Sequence, residues 1–125
     1  IHAAFEGIGY GISQNLQLFE DAGVPVGRVT AVGGGTKSLL WLQVVSDICG
    51  IIQQVPEVTV GASYGDALMA GLAIGTIESP EAIKNLIKIK YVIEPNMENN
   101  KEYKKYIELF AELYENNKEI MHQLW

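Results

Sequence analysis

Arg28-Val29-Thr30-Ala31-Val32-Gly33-Gly34-Gly35-Thr36-Lys37-Ser38 is the stretch on which the reading of this chain turns. A short β-branched run leads into three glycines and then into an apolar helix over residues 39–49, so the backbone must turn tightly at a strand-to-helix junction. Glycine lets the main chain approach a ligand with no Cβ in the way, and a helix N-terminus offers unpaired N–H donors and partial positive charge. An anion suits that geometry. A ligand-free tight turn is the alternative, since glycine is common wherever φ must be positive. A phosphate loop of the G-x-x-x-x-G-K-[ST] type would need Gly at the places held by Ala31 and Thr36. The dinucleotide fingerprint also fails, because Gly34 and Gly35 are adjacent and no acidic residue follows about 20 positions on in a strand context.

Outward from this turn the chain reads as alternating helices and strands. Before it, Ile1, Phe5, Ile8, Ile12, Leu16 and Phe19 form the stripe of an amphipathic helix that ends near Ala22-Gly23. Gly7, Gly9 and Gly11 interrupt that helix at about 1 kcal/mol each relative to Ala. Gly7 and Gly11, one turn apart, are therefore expected to receive a closely packed neighbour; a cofactor role for the three glycines lacks a preceding strand. Val24-Pro25-Val26-Gly27 reads as a turn.

After it, Leu39, Leu40, Trp41, Leu42, Val44, Val45 and Ile48 make the 39–49 helix apolar on most of its girth, with Gly50 as its stop. A second strand is expected over 51–55, up to Pro56. The small-residue run from Gly61 to Gly75 opens a third helix, in which Ser63 and Asp66 have capping-box spacing; that structural role for Asp66 is preferred to a catalytic one. Ser79-Pro80 starts a short helix as cap and first residue. Ile87, Ile89, Tyr91 and Ile93 alternate with Lys88, Lys90 and Val92 as an edge strand. A polar loop over 94–100 precedes a final helix over 101–124, striped by Tyr103, Ile107, Phe110, Leu113 and Leu124. The fold class is α/β: a small sheet from 28–33, 51–55 and 87–93, flanked by helices.

Composition bounds the rest. The 125 residues suit one domain, and 48% apolar with 19% charged residues is an ordinary globular balance. Nine basic against fifteen acidic residues leave a net charge of −6, which disfavours nucleic acid and anionic membrane. The basic runs at 84–90 and 101–105 read as solvated faces. Cys49, alone, has no internal disulfide partner and is expected as a buried thiol, which suits a reducing, cytoplasmic setting. His2 and His122 stand far apart with no clustered Cys or carboxylates, so no metal site is expected. The start at Ile1 lacks an initiator Met, and a fragment of something longer is expected.

Val32-Gly33-Gly34-Gly35-Thr36-Lys37-Ser38 with Trp41 and Gln43, then Gly61-Ala62-Ser63-Tyr64-Gly65-Asp66-Ala67, resembles the second half of the C-terminal domain of the FGGY carbohydrate kinases. The similarity runs from Ala3-Ala4-Phe5-Glu6-Gly7 to the Tyr103/Tyr106 helix and is greatest to the xylulose kinases. The resemblance implies a partial lobe of the actin-like, ribonuclease-H-like fold, and a parent activity that moves the ATP γ-phosphoryl group, with Mg²⁺, onto a sugar hydroxyl. Gly33, Gly34 and Gly35 would line the nucleotide, Thr36, Lys37 and Ser38 would follow at the helix start, and Trp41 and Gln43 would stand near the adenine. Residues 63–67 would belong to a hinge helix. The catalytic Asp, both phosphate loops and nearly all sugar contacts of that family lie upstream, so residues 1–125 alone are expected to be inactive and to hold ATP or ADP rather than the sugar. A full lobe has further strands, so an open sheet face and homodimerisation through it are expected. The alternative is the nucleotide lobe of another actin-like ATPase acting as a regulatory module.

Overall fold

In the computed structural model residues 2–123 are described; Ile1 and Leu124, the outermost members of the first and last apolar stripes, lie outside the described residues. The first helix, α1 (His2–Asp21), ends on Gly23, whose φ of 77° is open to glycine without strain. Strand β1 (Val29–Thr30) is shorter than the predicted 28–33, because the chain leaves the sheet on its way to Gly33, at φ 87°. Backbone bonds from Val29 N to Ile52 O and from Ala31 N to Gln54 O continue the pairing on either side. A 3-10 turn (Gly34–Lys37) then separates the glycines from α2 (Leu39–Cys49).

Strand β2 (Gln53–Pro56) takes Pro56 in as its last residue instead of stopping before it. It is followed by α3 (Ala62–Ala73), α4 (Pro80–Leu86), β3 (Ile89–Ile93) and α5 (Met97–His122). The sheet order is β1-β2-β3, with β1 parallel to β2 through the α2 crossover and β3 antiparallel at the far edge. Val29, Gln53 and Ile93 are in register and Thr30, Gln54 and Val92 form the next row. Gln53 donates to Leu42 O and Ser46 Oγ, so the first row faces α2. Thr30 and Val92 are exposed on the opposite face, which no helix covers.

The core is centred on α2: Leu42, Val44, Val45 and Ile48 are buried together with Val55 of β2. Each such side chain contributes roughly 1.5–3 kcal/mol by leaving water. The reading of α2 as buried on more than one side is met, and the burial extends to Ser46 and Asp47. Helices α1 and α5 close over it, with Tyr10 packed on Tyr103 and Phe110.

Three expectations need correction. In α1 the close approach falls on Gly9, where a Cβ would stand 2.6 Å from Ile48 Cδ1, whereas Gly7 and Gly11 meet nothing within 4 Å. Gly9 lies on the α2 side of the helix and the other two do not. In α3 the cap is Gly61, at φ 76°, and Tyr64 N and Gly65 N bond to its carbonyl. The helix thus starts before Ser63, which lies inside the first turn and leaves no capping box with Asp66. Finally α5 begins at Met97, four residues ahead of the predicted 101, because the Asn96 side chain accepts from Glu98 N and Asn99 N. The α4 start is as read, with Ser79 Oγ accepting from Ala82 N and Pro80 in first place.

Candidate functional site

The glycine turn lies at the carboxyl end of β1, where the parallel strands of an open α/β sheet present their ligand crevice. Its shape is held from several sides. Gly33 N donates to Thr59 O at 2.6 Å, while Thr36 N and Thr36 Oγ1 both donate back to Gly33 O, at 3.2 and 2.7 Å. Thr36 is only 6% exposed, so its hydroxyl serves the turn and not the solvent. Its carbonyl accepts from the Tyr91 hydroxyl of β3 at 3.0 Å. Trp41 lies against the turn from α2: a Cβ on Gly35 would come within 2.9 Å of Trp41 Nε1, and the indole also meets Phe5 edge-on at 5.2 Å.

Two consequences follow for ligands. The Gly34 and Gly35 N–H groups have no hydrogen-bond partner among the described residues, and both glycines are exposed. A Cβ on Gly34 meets nothing within 4 Å, so the space above that residue is open. Ser38 caps α2, its Oγ accepting from Trp41 N at 3.2 Å, so one of the helix's free donors is already taken. Beside the turn is a cavity of about 330 Å³ at the carboxyl ends of β1 and β2, lined by Thr36, Lys37, Glu57, Thr59, Lys90 and Tyr91.

Of the residues singled out by sequence, Gly33 to Ser38 and Trp41 come together at this turn. Gln43 does not: its amide donates to Asp47 Oδ1 at 2.7 Å and to Glu94 O at 2.9 Å, tying α2 to the segment before α5. Asp47, 4% exposed, is the hub of that second cluster. Its carboxylate also accepts from Asn96 N at 2.8 Å and Asn99 Nδ2 at 2.8 Å, at the positive end of a 26-residue helix. Asn100 returns two bonds to the Asp47 and Ile48 carbonyls at the end of α2. Sequence reasoning missed Asp47 and Tyr91. The polar Ser46-Asp47 pair inside an apolar helix was a usable signal for the first; nothing local marked the second.

The titrating groups that are perturbed lie away from the turn. Burial pushes the Cys49 thiol up to about 11, and its Sγ sits 3.9 Å from Gly9 O. Burial first, and then its bond to Glu6, raises Tyr103 to about 12. Neither is a poised nucleophile or base at neutral pH. Among the described residues no group of three His, Cys, Asp or Glu side chains could hold a metal ion, and no helix is long and apolar enough to cross a membrane.

Comparison with known proteins accounts for this arrangement. The model of the FGGY family of carbohydrate kinases, C-terminal domain, matches residues 1–74, which include α1, the glycine turn, α2, β2 and α3. A xylulose kinase of Staphylococcus epidermidis is 31% identical over 94% of this chain and 24% of its own length. A gluconokinase of Bacillus licheniformis is 33% identical over 90% of this chain and 22% of its own. The solved structure of a xylulose kinase from Rhodospirillum rubrum superposes with a TM-score of 0.78 at 21% identity, over 94% of this chain and 24% of that one. The fold is thus that of the sugar kinases with the actin-like ATPase architecture, and the chain spans about a quarter of the length of the relatives it matches. With well over half its residues matched by that family's model, the chain belongs to the FGGY family of carbohydrate kinases.

Proposed function

We propose that residues 1–125 form the closing part of the C-terminal, nucleotide-side domain of an ATP-dependent sugar kinase, and that the glycine turn holds the nucleotide. The observation that carries this reading is the pair of unpartnered N–H groups on the exposed Gly34 and Gly35, with open space beside Gly34, ahead of the capped start of α2. Two amide donors on a preorganised turn suit the oxygens of a ribose or phosphate. Gly33 supplies the positive φ that forms the turn, Thr36 locks it, Lys37 adds a cationic side chain, and Ser38 and Trp41 fix the helix behind it. Gln43 acts at a distance, through the α2–α5 junction.

The reaction proposed for the whole kinase is transfer of the ATP γ-phosphoryl group to a sugar hydroxyl. D-xylulose is the proposed sugar, on the ground that a xylulose kinase is matched over slightly more of this chain than the gluconokinase is. Phosphoryl transfer requires a positioned base and charge neutralisation together. The described residues offer no acidic set for Mg²⁺, so the ion finds no ligand set in this part and no step is assigned to it. The chain alone is therefore inactive. A cytoplasmic setting accords with its lone, half-buried cysteine. We propose too that the chain dimerises through the open face of its sheet.

Calorimetric titration of ATP and ADP, with and without D-xylulose, tests this on the wild-type chain and on Gly34→Val. A Cβ at position 34 meets nothing within 4 Å and the backbone φ there is not positive, so the variant is expected to fold. Weak nucleotide binding that Gly34→Val abolishes, with no sustained heat of turnover, is the expected result. Binding that survives the substitution, or turnover by the chain alone, would overturn the reading.

A further inference from the structure

We infer that Tyr91 is a positioning residue of the nucleotide turn, an inference that rests on the function just proposed. The family's model ends at residue 74, so β3 and its tyrosine lie outside what it matches. Yet β3 pairs with β2 along Gln53 to Pro56, and that pairing carries the Tyr91 ring to the cavity beneath the turn. There its hydroxyl donates to the Thr36 carbonyl at 3.0 Å, a contact made across 55 residues of sequence.

Thr36 is buried and no backbone N–H reaches its carbonyl among the described residues, so without Tyr91 that oxygen would be left unpaired. The other fixed points of the turn are Gly33, held by Thr59, and Gly35, held by Trp41. Tyr91 therefore sets the peptide plane at the far end of a four-residue 3-10 turn whose near end is already anchored. With both ends fixed, the two free glycine N–H groups keep one direction, which is preorganisation of a binding site and not contact with the ligand.

Tyr91→Phe removes the hydroxyl and keeps the ring, so the sheet and its edge remain. Two readouts are taken on the variant and the wild-type chain: amide hydrogen exchange, residue by residue, and ADP affinity by calorimetry. The expected result is exchange about three- to tenfold faster at Thr36 and Ser38, whose N–H groups bond to Gly33 O and Gly35 O, with α5 unchanged, and ADP affinity lower by a similar factor. A bond serving stability alone would instead speed exchange throughout the molecule and leave affinity intact. Unchanged exchange at the turn, or unchanged ADP affinity in a wild-type chain that binds it, overturns the inference. If the wild-type chain binds no ADP, it is the nucleotide reading that fails, and the exchange data still decide whether Tyr91 holds the turn.

Discussion

At the scale of single residues, the glycines of α1 divide by what stands opposite them. Gly9 is buried beneath Ile48, and a Cβ there would lie 2.6 Å from the Cδ1 atom of a side chain that is itself 1% exposed. Gly7 and Gly11 face open space in the same helix. Gly7→Ala and Gly11→Ala are expected to stabilise the chain by about 0.5–1 kcal/mol each, through helix propensity and a less flexible unfolded state. Gly9→Val is expected to destabilise it by about 1–3 kcal/mol, since the buried Ile48 side chain must shift to admit the new atoms. Urea unfolding of the three variants checks this; equal effects at 7, 9 and 11 would remove the special role of Gly9. The sequence showed that something had to compensate for these glycines, but helical spacing alone could not say which one met a neighbour.

At the scale of elements, α2 and α5 are joined by polar groups as much as by apolar packing. The Asp47 carboxylate accepts from Gln43, Asn96 and Asn99, and Asn100 covers the carbonyls where α2 ends. Gly50, at φ 65°, completes that end, and a Cβ added there would press on the Asn100 amide at 3.1 Å. Asp47→Ala would leave part-buried donors on Asn96 and Asn99 without an acceptor and loosen the first turn of α5. A loss of about 1–3 kcal/mol is expected, with the fraying seen first at residues 96–100 in hydrogen exchange. A variant as stable as the parent would show the network to be dispensable. The start of α5 ahead of its hydrophobic periodicity has its cause here: the stripe begins at Tyr103, but the helix is set by its cap, Asn96, seven residues before it, and Asp47 holds the Asn96 N–H.

At the scale of the whole molecule, one face of the sheet and two of the helices remain without cover. Neither α3 nor α4 contains a buried residue, and Met69 and Ile74 at the end of α3 are 64% and 78% exposed. Apolar surface of this kind marks a place where another surface belongs. The chain spans about a quarter of the length of its relatives. On the dimer proposed above, static light scattering is expected to report twice the 13.7 kDa chain mass as concentration rises. A monomer at high concentration would sink the dimer. Hydrogen exchange should at the same time be fastest in α3, whose backbone bonds lack tertiary protection, and slowest in α2.

The sequence by itself determined the order and kind of the elements, the burial of α2, the glycine turn at the head of that helix and the family. The family follows from the resemblance carried by residues 32–43 and 61–67; the other features are local and follow from periodicity, from caps such as Ser79, and from where glycine permits a turn. Tertiary structure alone decided that Gly9 is the contact glycine, that Asp47 anchors the cap of α5, that Tyr91 braces the turn, and which face of the sheet is open. Each of these depends on a partner some 40 to 55 residues away, as in Gly9 with Cys49, Asp47 with Asn96 and Tyr91 with Thr36. Spacing along the chain carries no record of such a pairing until helix packing and, for Tyr91, sheet register bring the two ends together.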